Sequence, residues 1–199
     1  KLLRLIEQAG MAERFVVVGT HALHAYEAMA GVHFISDLTA TRDFDILWDA
    51  GQRVVVLDTL GKPAEPPAPT TGLMAILKKV DKTFTRNEER TFQALNADGF
   101  AVEVLRPEQP REAERSGFMD GITPIRVKGQ DDLLAPGVLS ETVIAEDGYP
   151  LLLRVPDPAA FVLHKLWVSQ RKDRNAGKAS RDKRQAPALA QLIRERIPL

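Results

Sequence analysis

The chain has 199 residues, no cysteine and a formal net charge of zero at pH 7, from 27 basic and 27 acidic side chains. The lack of cysteine excludes disulfides, thiol catalysis and cysteine-based zinc sites, and the zero net charge gives no general argument for a nucleic-acid or membrane partner. With 44% hydrophobic residues, the chain can bury one sizeable core and carry a smaller helical part.

Charge is unevenly distributed along the chain. Residues 164–199 contain ten of the 27 Lys and Arg residues but only three of the 27 Asp and Glu residues. The sequence has no apolar run of about 18 residues and no signal-peptide pattern, so we expect a cytoplasmic protein with no membrane partner. Because the chain opens at Lys1 within an apolar periodic segment, we expect the N-terminus to be incomplete.

The first half of the chain alternates predicted helices and strands. In chain order, the patterns predict a helix that ends at Gly10, a strand at 15–18, a helix from Thr20, strands at 42–48 and 53–57, a proline-rich exposed loop at 61–69 and a helix at 72–80. Thr20 is suited to cap the second of these helices, and Thr70 or Thr71 the third, because a hydroxyl oxygen accepts a free amide of the first turn.

The second half begins with two hairpins and ends with helices. Asp-Gly turns at 98–99 and 147–148 predict the hairpins, Asp157 and Pro158 predict a helix start, and apolar spacing around Leu189 predicts one more helix. This mixture predicts an α+β fold with a mixed sheet flanked by helices. We expect an α/β body at 1–155 and a basic helical C-terminal part at 156–199.

Two aspartates lie two residues apart on a predicted strand. Side chains alternate between the faces of a strand, so Asp43 and Asp45 share one face while Phe44 and Ile46 share the other. Two like charges at this spacing repel each other unless a cation lies between them. The pair is therefore either a site for a hard metal ion or a solvated polar face, and the spacing does not decide between them.

Two further features favour the metal site. Gly19 and Thr20 lie where a buried strand gives way to a helix, where backbone amides and a hydroxyl can bind phosphate oxygens. Glu103 interrupts an apolar strand, where an unpartnered acid would be costly. Three carboxylates could hold two Mg²⁺ ions that orient a nucleoside triphosphate, and the carboxylate nearest an acceptor hydroxyl could act as general base.

These segments resemble the nucleotidyltransferase superfamily of DNA polymerase beta type. The residues that carry the resemblance are VVVGTHALHAY at 16–26, TRDFDILWD at 41–49 and VEVLRP at 102–107. It extends through DPAAFVLHKLWVSQR at 157–171 and KASRDKRQA at 178–186 to a group of bacterial proteins of this fold. The resemblance therefore covers nearly the whole chain.

The resemblance implies a role for each of these residues. Gly19 and Thr20 would contact the triphosphate, and Asp43 and Asp45 would bind Mg²⁺ or Mn²⁺. Glu103 would take the place of the third acid, where the pattern has Asp. Glu103 could instead pair with a basic residue such as Arg42 or Arg106. Arg42 could neutralise the aspartates, which is the favoured interpretation, or contact phosphate.

Basic residues of the C-terminal part are the candidate phosphate ligands. The resemblance places Lys165 and Arg181 over the sheet, near Lys178, where cations could bind a triphosphate. Most such charge runs are solvated faces, which is the alternative. His21 and His24 have a spacing that zinc ligands use, but surface or packing histidines are the favoured interpretation.

The function implied is a metal-dependent enzyme that moves a nucleoside monophosphate from a triphosphate such as ATP to a hydroxyl acceptor. RNA, a protein side chain and a small molecule remain open as acceptors, because a fold does not select one. The alternative is a non-catalytic nucleotide- or RNA-binding module of the same fold, with a toxin or antitoxin component as a variant.

Overall fold

The structure, a computed structural model, describes residues 1–48, 56–57, 63–64, 71–108 and 119–197. Short 3₁₀ turns at Ala12–Arg14 and Gly19–Ala22 flank the first strand. The α-helices of the described residues are α1 (Leu2–Gln8), α2 (Leu23–Ala30), α3 (Ser36–Thr39), α4 (Leu73–Val80), α5 (Gln130–Leu134), α6 (Pro158–Ser169) and α7 (Ala176–Arg196).

The strands of the described residues form one larger sheet and two small ones. They are β1 (Phe15–Val18), β2 (Asp43–Trp48), β3 (Val56–Leu57), β4 (Pro63–Ala64), β5 (Thr85–Arg86), β6 (Gln93–Leu95), β7 (Ala101–Arg106), β8 (Ile125–Arg126), β9 (Val138–Ile144) and β10 (Pro150–Pro156). The six-stranded sheet has the order β1-β2-β7-β6-β5, and β8 also pairs with β7. The pairs β2–β7 and β7–β8 are parallel and the others are antiparallel, so the sheet is mixed as predicted.

Local sequence signals account for most of these elements. The two Asp-Gly turns connect β6 to β7 and β9 to β10, and both turn glycines have the positive φ that such turns need. Asp157 caps α6 with its side chain and Pro158 occupies the first turn, as predicted. The final helix is longer than its apolar signal, because Asn175 caps it at the start of a polar run.

The two predicted threonine caps are wrong. The α2 helix begins at Leu23, after the 3₁₀ turn, and has no side-chain cap, so Thr20 does not serve as one. At α4 the N-cap is Gly72, also without a side-chain hydrogen bond, so Thr71 does not cap it. Thr70, most of the predicted strand at 53–57 and most of the proline-rich stretch at 61–69 lie outside the described residues.

The hydrophobic core joins the sheet to the C-terminal helices. Phe44 and Ile46 of β2 are buried in the same cluster as Phe161 of α6 and Leu189 of α7. Tyr26 of α2 adds an edge-on contact with the Phe161 ring, at 5.4 Å between centroids. The fold is therefore α+β with a helical C-terminal part packed against the body, and the boundary between 155 and 156 stays a prediction.

No helix within the described ranges is both long and apolar enough to cross a membrane.

The cap of α6 gives a stability prediction. Oδ1 of Asp157 accepts the backbone amides of Ala159 at 2.9 Å and Ala160 at 3.0 Å. Asp157→Ala leaves these amides without that partner and should lower the free energy of unfolding by about 1 kcal/mol, measured by urea denaturation. Glu146→Ala, in the exposed β9–β10 turn, is the control. Equal stability of the two variants would contradict the capping role.

Candidate active site

Three acidic side chains lie on neighbouring positions of two strands. Asp43 and Asp45 point to the same face of β2, and Asp45 is directly in register with Glu103 on the parallel strand β7. The pairing of β2 with β7 thus brings together two segments that are far apart in the sequence. Phe44 and Ile46 point to the opposite face and are buried in the core, as the alternation predicts.

Gly19 packs against one of these acids. It has a φ of +65°, and a Cβ added there would collide with Oδ2 of Asp45. Any side chain at position 19 would therefore both strain the backbone and displace the carboxylate. The sequence signal at the end of β1 reflects this close approach of backbone and acid.

The acids perturb one another electrostatically. Burial, followed by the negative charges of Asp43 and Glu103, raises the pKa of Asp45 from its ordinary 3.8 to about 7. For Asp43, burial acts in the same direction, but hydrogen bonds from Lys178 and Thr41 outweigh it and lower the pKa. The pair therefore titrates asymmetrically, with Asp45 as the acid that holds its proton more tightly.

Helix α7 supplies the cations that face Asp43. The Lys178 ammonium contacts the Asp43 carboxylate directly. Arg181 donates from Nη1 to the Thr41 hydroxyl at 2.9 Å, and that hydroxyl in turn donates to Asp43. Burial tends to lower the pKa of Lys178, but its hydrogen bond to Asp43 and the charges of Glu103 and Asp45 raise it.

Lys165 is held by an acid of its own. Its side chain is buried, and Nζ donates to Oδ1 of Asp182 at 2.8 Å. Arg174 donates to the other oxygen of Asp182, with Nη2 at 2.7 Å and Nε at 2.9 Å. Burial lowers the pKa of Lys165, although Asp182 opposes that shift. The buried carboxylate thus joins α6 to α7 and fixes two cations beside the acid face.

The predicted site residues surround two connected spaces. A small pocket of about 20 Å³ is lined by six of the seven: Gly19, Thr20, Asp43, Asp45, Lys165 and Arg181. Glu103 lines a cleft of about 580 Å³ that shares Gly19, Asp45, Lys165 and Lys178 with the small pocket. The structure therefore gathers the predicted residues, with acids on the sheet side and cations on the helix side.

Metal binding by the acids is not prearranged. Within the described part of the chain, no group of three or more His, Asp or Glu side chains is placed to hold a metal ion. Glu103 accepts a hydrogen bond from Nε2 of Gln93 at 2.7 Å, and Lys178 contacts Asp43. The expected convergence of the three carboxylates at metal-bridging distance is therefore not met as the side chains stand, and their metal role stays a prediction.

The positions of Thr20 and Arg42 decide between the alternative roles predicted for them. Thr20 is buried, and its hydroxyl lies 3.3 Å from Nε2 of Gln185, which donates to it. Arg42 is exposed and lines a separate pocket with Phe84 and Phe100. The prediction that Arg42 neutralises the aspartates is therefore wrong. Arg42 lies immediately before β2, in a bend, and its exposed side chain lines that separate pocket instead of the acid face.

The two histidines after β1 have ordinary partners. His24 is hydrogen bonded through Nδ1 to Oε2 of Glu27 at 2.8 Å. His21 packs edge-on against the Phe44 ring, with 4.9 Å between centroids, and burial followed by the charge of His24 lowers its pKa to about 4. These contacts agree with packing histidines rather than zinc ligands.

Three residues at the site carry no distinctive motif. Thr41, Gln93 and Arg174 contact Asp43, Glu103 and Asp182 respectively. Only Gln93 had a usable signal, as a polar residue in the strand predicted to pair with that of Glu103. The other two contacts join residues only two and eight positions apart, but no motif in the sequence indicates them.

Comparisons with known proteins agree with this arrangement. The model of a family described as nucleotidyltransferase matches residues 1–199. Searches of curated proteins and of solved structures found no significant match. The match covers the acid face, the cleft and the C-terminal helices together, and the α+β fold with its mixed sheet is consistent with it. The chain therefore belongs to the nucleotidyltransferase family.

Proposed function

We propose that the protein moves a nucleoside monophosphate from a nucleoside triphosphate to a hydroxyl acceptor in the 580 Å³ cleft. The observation that carries the proposal is the opposition of charges across that cleft. Asp45 and Glu103 lie on the sheet side, and Lys165 and Lys178 lie on the helix side. The phosphates of a triphosphate need cationic ligands, and the metal ions at its reacting centre need carboxylates. A cleft with cations on one side and acids on the other supplies both.

Asp43, Asp45 and Glu103 are the proposed ligands of Mg²⁺ or Mn²⁺. Carboxylate oxygens are the donors that these hard cations prefer. Burial and then the negative charges of Asp43 and Glu103 raise the pKa of Asp45, and a divalent cation would offset the second of these effects. When bound, the ions would neutralise charge on the phosphate oxygens and on the leaving pyrophosphate.

The chain's own residues would bind the phosphates and handle the proton. The absence of a side chain at Gly19 allows a phosphate to approach the end of β1, and Lys165 and Arg181 would bind phosphate oxygens. The acceptor oxygen forms a bond to the α-phosphorus while the bond to the bridging oxygen breaks and pyrophosphate leaves. We assign the acceptor's proton to Glu103, which Gln93 orients.

The second candidate is a nucleotide- or RNA-binding module without turnover. It is favoured by one observation, the contact of Lys178 with Asp43, which places a cation of the protein where a metal ligand is expected. One experiment separates transfer from binding without turnover. The protein is incubated with each labelled triphosphate, Mg²⁺ or Mn²⁺, and total RNA or cell lysate. Pyrophosphate release with a labelled acceptor supports transfer, whereas binding without release supports the module.

Removing either aspartate charge tests the proposed metal ligands. Asp43→Asn and Asp45→Asn should each lower pyrophosphate release by at least about a hundredfold, because metal ligation needs the carboxylate. The fold should persist, as reported by circular dichroism. Asp98→Asn, in the exposed β6–β7 turn, is the matched control and should keep full activity. Calorimetry would measure the affinity of each variant for Mg²⁺ with a non-hydrolysable triphosphate. An affinity that is unchanged in both variants would mean that the metal binds elsewhere.

The raised pKa of Asp45 gives a pH-dependent stability prediction. Between pH 3.8 and about 7, folded Asp45 retains a proton that the unfolded chain loses, so this group lowers stability as pH rises through that window. Asp45→Asn removes the penalty. With EDTA present, we expect the variant to be as stable as wild type near pH 4 and more stable at pH 8, by up to about 4 kcal/mol. A difference in melting temperature between Asp45→Asn and wild type that stayed constant from pH 4 to pH 8 would contradict this prediction.

The basic residues of α7 give a binding prediction. Arg181 lies at the small pocket, whereas Lys172 is exposed between α6 and α7. Arg181→Ala should weaken triphosphate binding about tenfold or more, since a charged hydrogen bond contributes about 1.5–3 kcal/mol. Lys172→Ala should change it by less than about twofold. Equal, small effects in calorimetry would show that the basic face is only solvated.

A further inference from the structure

The part of the 580 Å³ cleft beyond Glu103 is apolar. Leu105 follows Glu103 on the same face of β7, about 7 Å further along the strand. Leu105 is in register with Ile125 of β8, and both line the cleft together with Val127. Phe161 of α6 also lines it. A ligand with its phosphates at the acids would therefore extend its other end over apolar side chains.

Gln130 is a buried polar residue in this part of the cleft. It is the first residue of α5, is 3% exposed and lines the cleft. Its Oε1 is shielded from water and has no hydrogen-bond partner among the described residues. An unpaired buried carbonyl oxygen costs about 1–3 kcal/mol, so the residue is disfavoured unless something in the cleft supplies a donor.

The backbone before Gln130 is held in place. Gly129 has a φ of +79°, and a Cβ added there would lie 2.7 Å from the Trp167 ring. His164 is hydrogen bonded to the backbone of Gly129. The tight packing of α6 against Gly129 thus fixes the start of α5 and the position of the glutamine side chain. This is the arrangement expected of a residue that selects a ligand.

We propose that Gln130 recognises the base of the bound nucleotide through its exocyclic amino group. This inference rests on the proposed function of the cleft. Oε1 would accept from the amino group while Nε2 donates to the neighbouring ring nitrogen, which is the two-bond pairing that glutamine makes with adenine. Cytosine offers the same pair of atoms but covers fewer of the apolar side chains, and guanine offers it through its N2 amino group and N3, which the ribose crowds. ATP is therefore the triphosphate we expect to bind most tightly.

The test compares ATP with purine riboside triphosphate, which lacks only the amino group. Calorimetry with Mg²⁺ should give wild-type protein about tenfold tighter binding of ATP. Gln130→Met, which has a similar shape without the amide, should bind the two nucleotides equally. Leu133→Met, a change on the same helix and in the same cleft, should keep the tenfold preference.

The possible results separate the two proposals. If wild-type protein binds both nucleotides equally, or if Gln130→Met keeps the preference, the role of Gln130 is overturned while the proposed function stands. If wild-type protein binds no nucleoside triphosphate, the proposed function fails together with the inference. Because the wild-type comparison needs no substitution, a Gln130 variant that fails to fold does not prevent the test.

Discussion

Repulsion among three carboxylates is the constraint on which this structure depends. The parallel pairing of β2 with β7 sets Asp45 beside Glu103, and the alternation of β2 puts Asp43 on the same face. Burial of these charges without compensation is unfavourable, and burial together with the charges of Asp43 and Glu103 raises the pKa of Asp45 to about 7. The basic helix α7 meets this requirement, since Lys178 contacts Asp43 and Arg181 reaches it through Thr41.

The buried cluster around Asp182 positions the second set of cations. An ion pair of this kind adds little net stability, because desolvation offsets most of the attraction, but removing one partner is costly. Asp182 holds Lys165 on one carboxylate oxygen and Arg174 on the other, so a single acid positions two cations at the cleft. We interpret the cluster as a device for placing charge at the cleft rather than as a source of stability. Asp182 lies on α7, whereas Lys165 comes from α6 and Arg174 from the segment between the two helices.

In the proposed reaction, a metal ion and Lys178 would both need the Asp43 carboxylate. A divalent ion bound by Asp43 would compete with the Lys178 ammonium for one carboxylate. A triphosphate that brought its metal would offer Lys178 a replacement anion, so the exchange would keep every charge compensated. The family match supports nucleotidyl transfer in general terms, and this exchange gives a physical reason why metal and nucleotide would bind together.

Much of the fold and part of the site were determined by the sequence alone. Two-residue alternation placed Asp43 and Asp45 on one face, the Asp-Gly turns specified both hairpins, and Asp157 with Pro158 specified the start of α6. These features depend on neighbours within a few residues. Arg42 is an exception, because the sequence favours it as the counterion of the aspartates and only the structure places it in a separate pocket. The cation that contacts Asp43 and the unpaired carbonyl oxygen of Gln130 were decided only by tertiary structure. Arg181 and Thr41 are 140 residues apart, and their contact exists because α7 packs on β2, which no local pattern encodes.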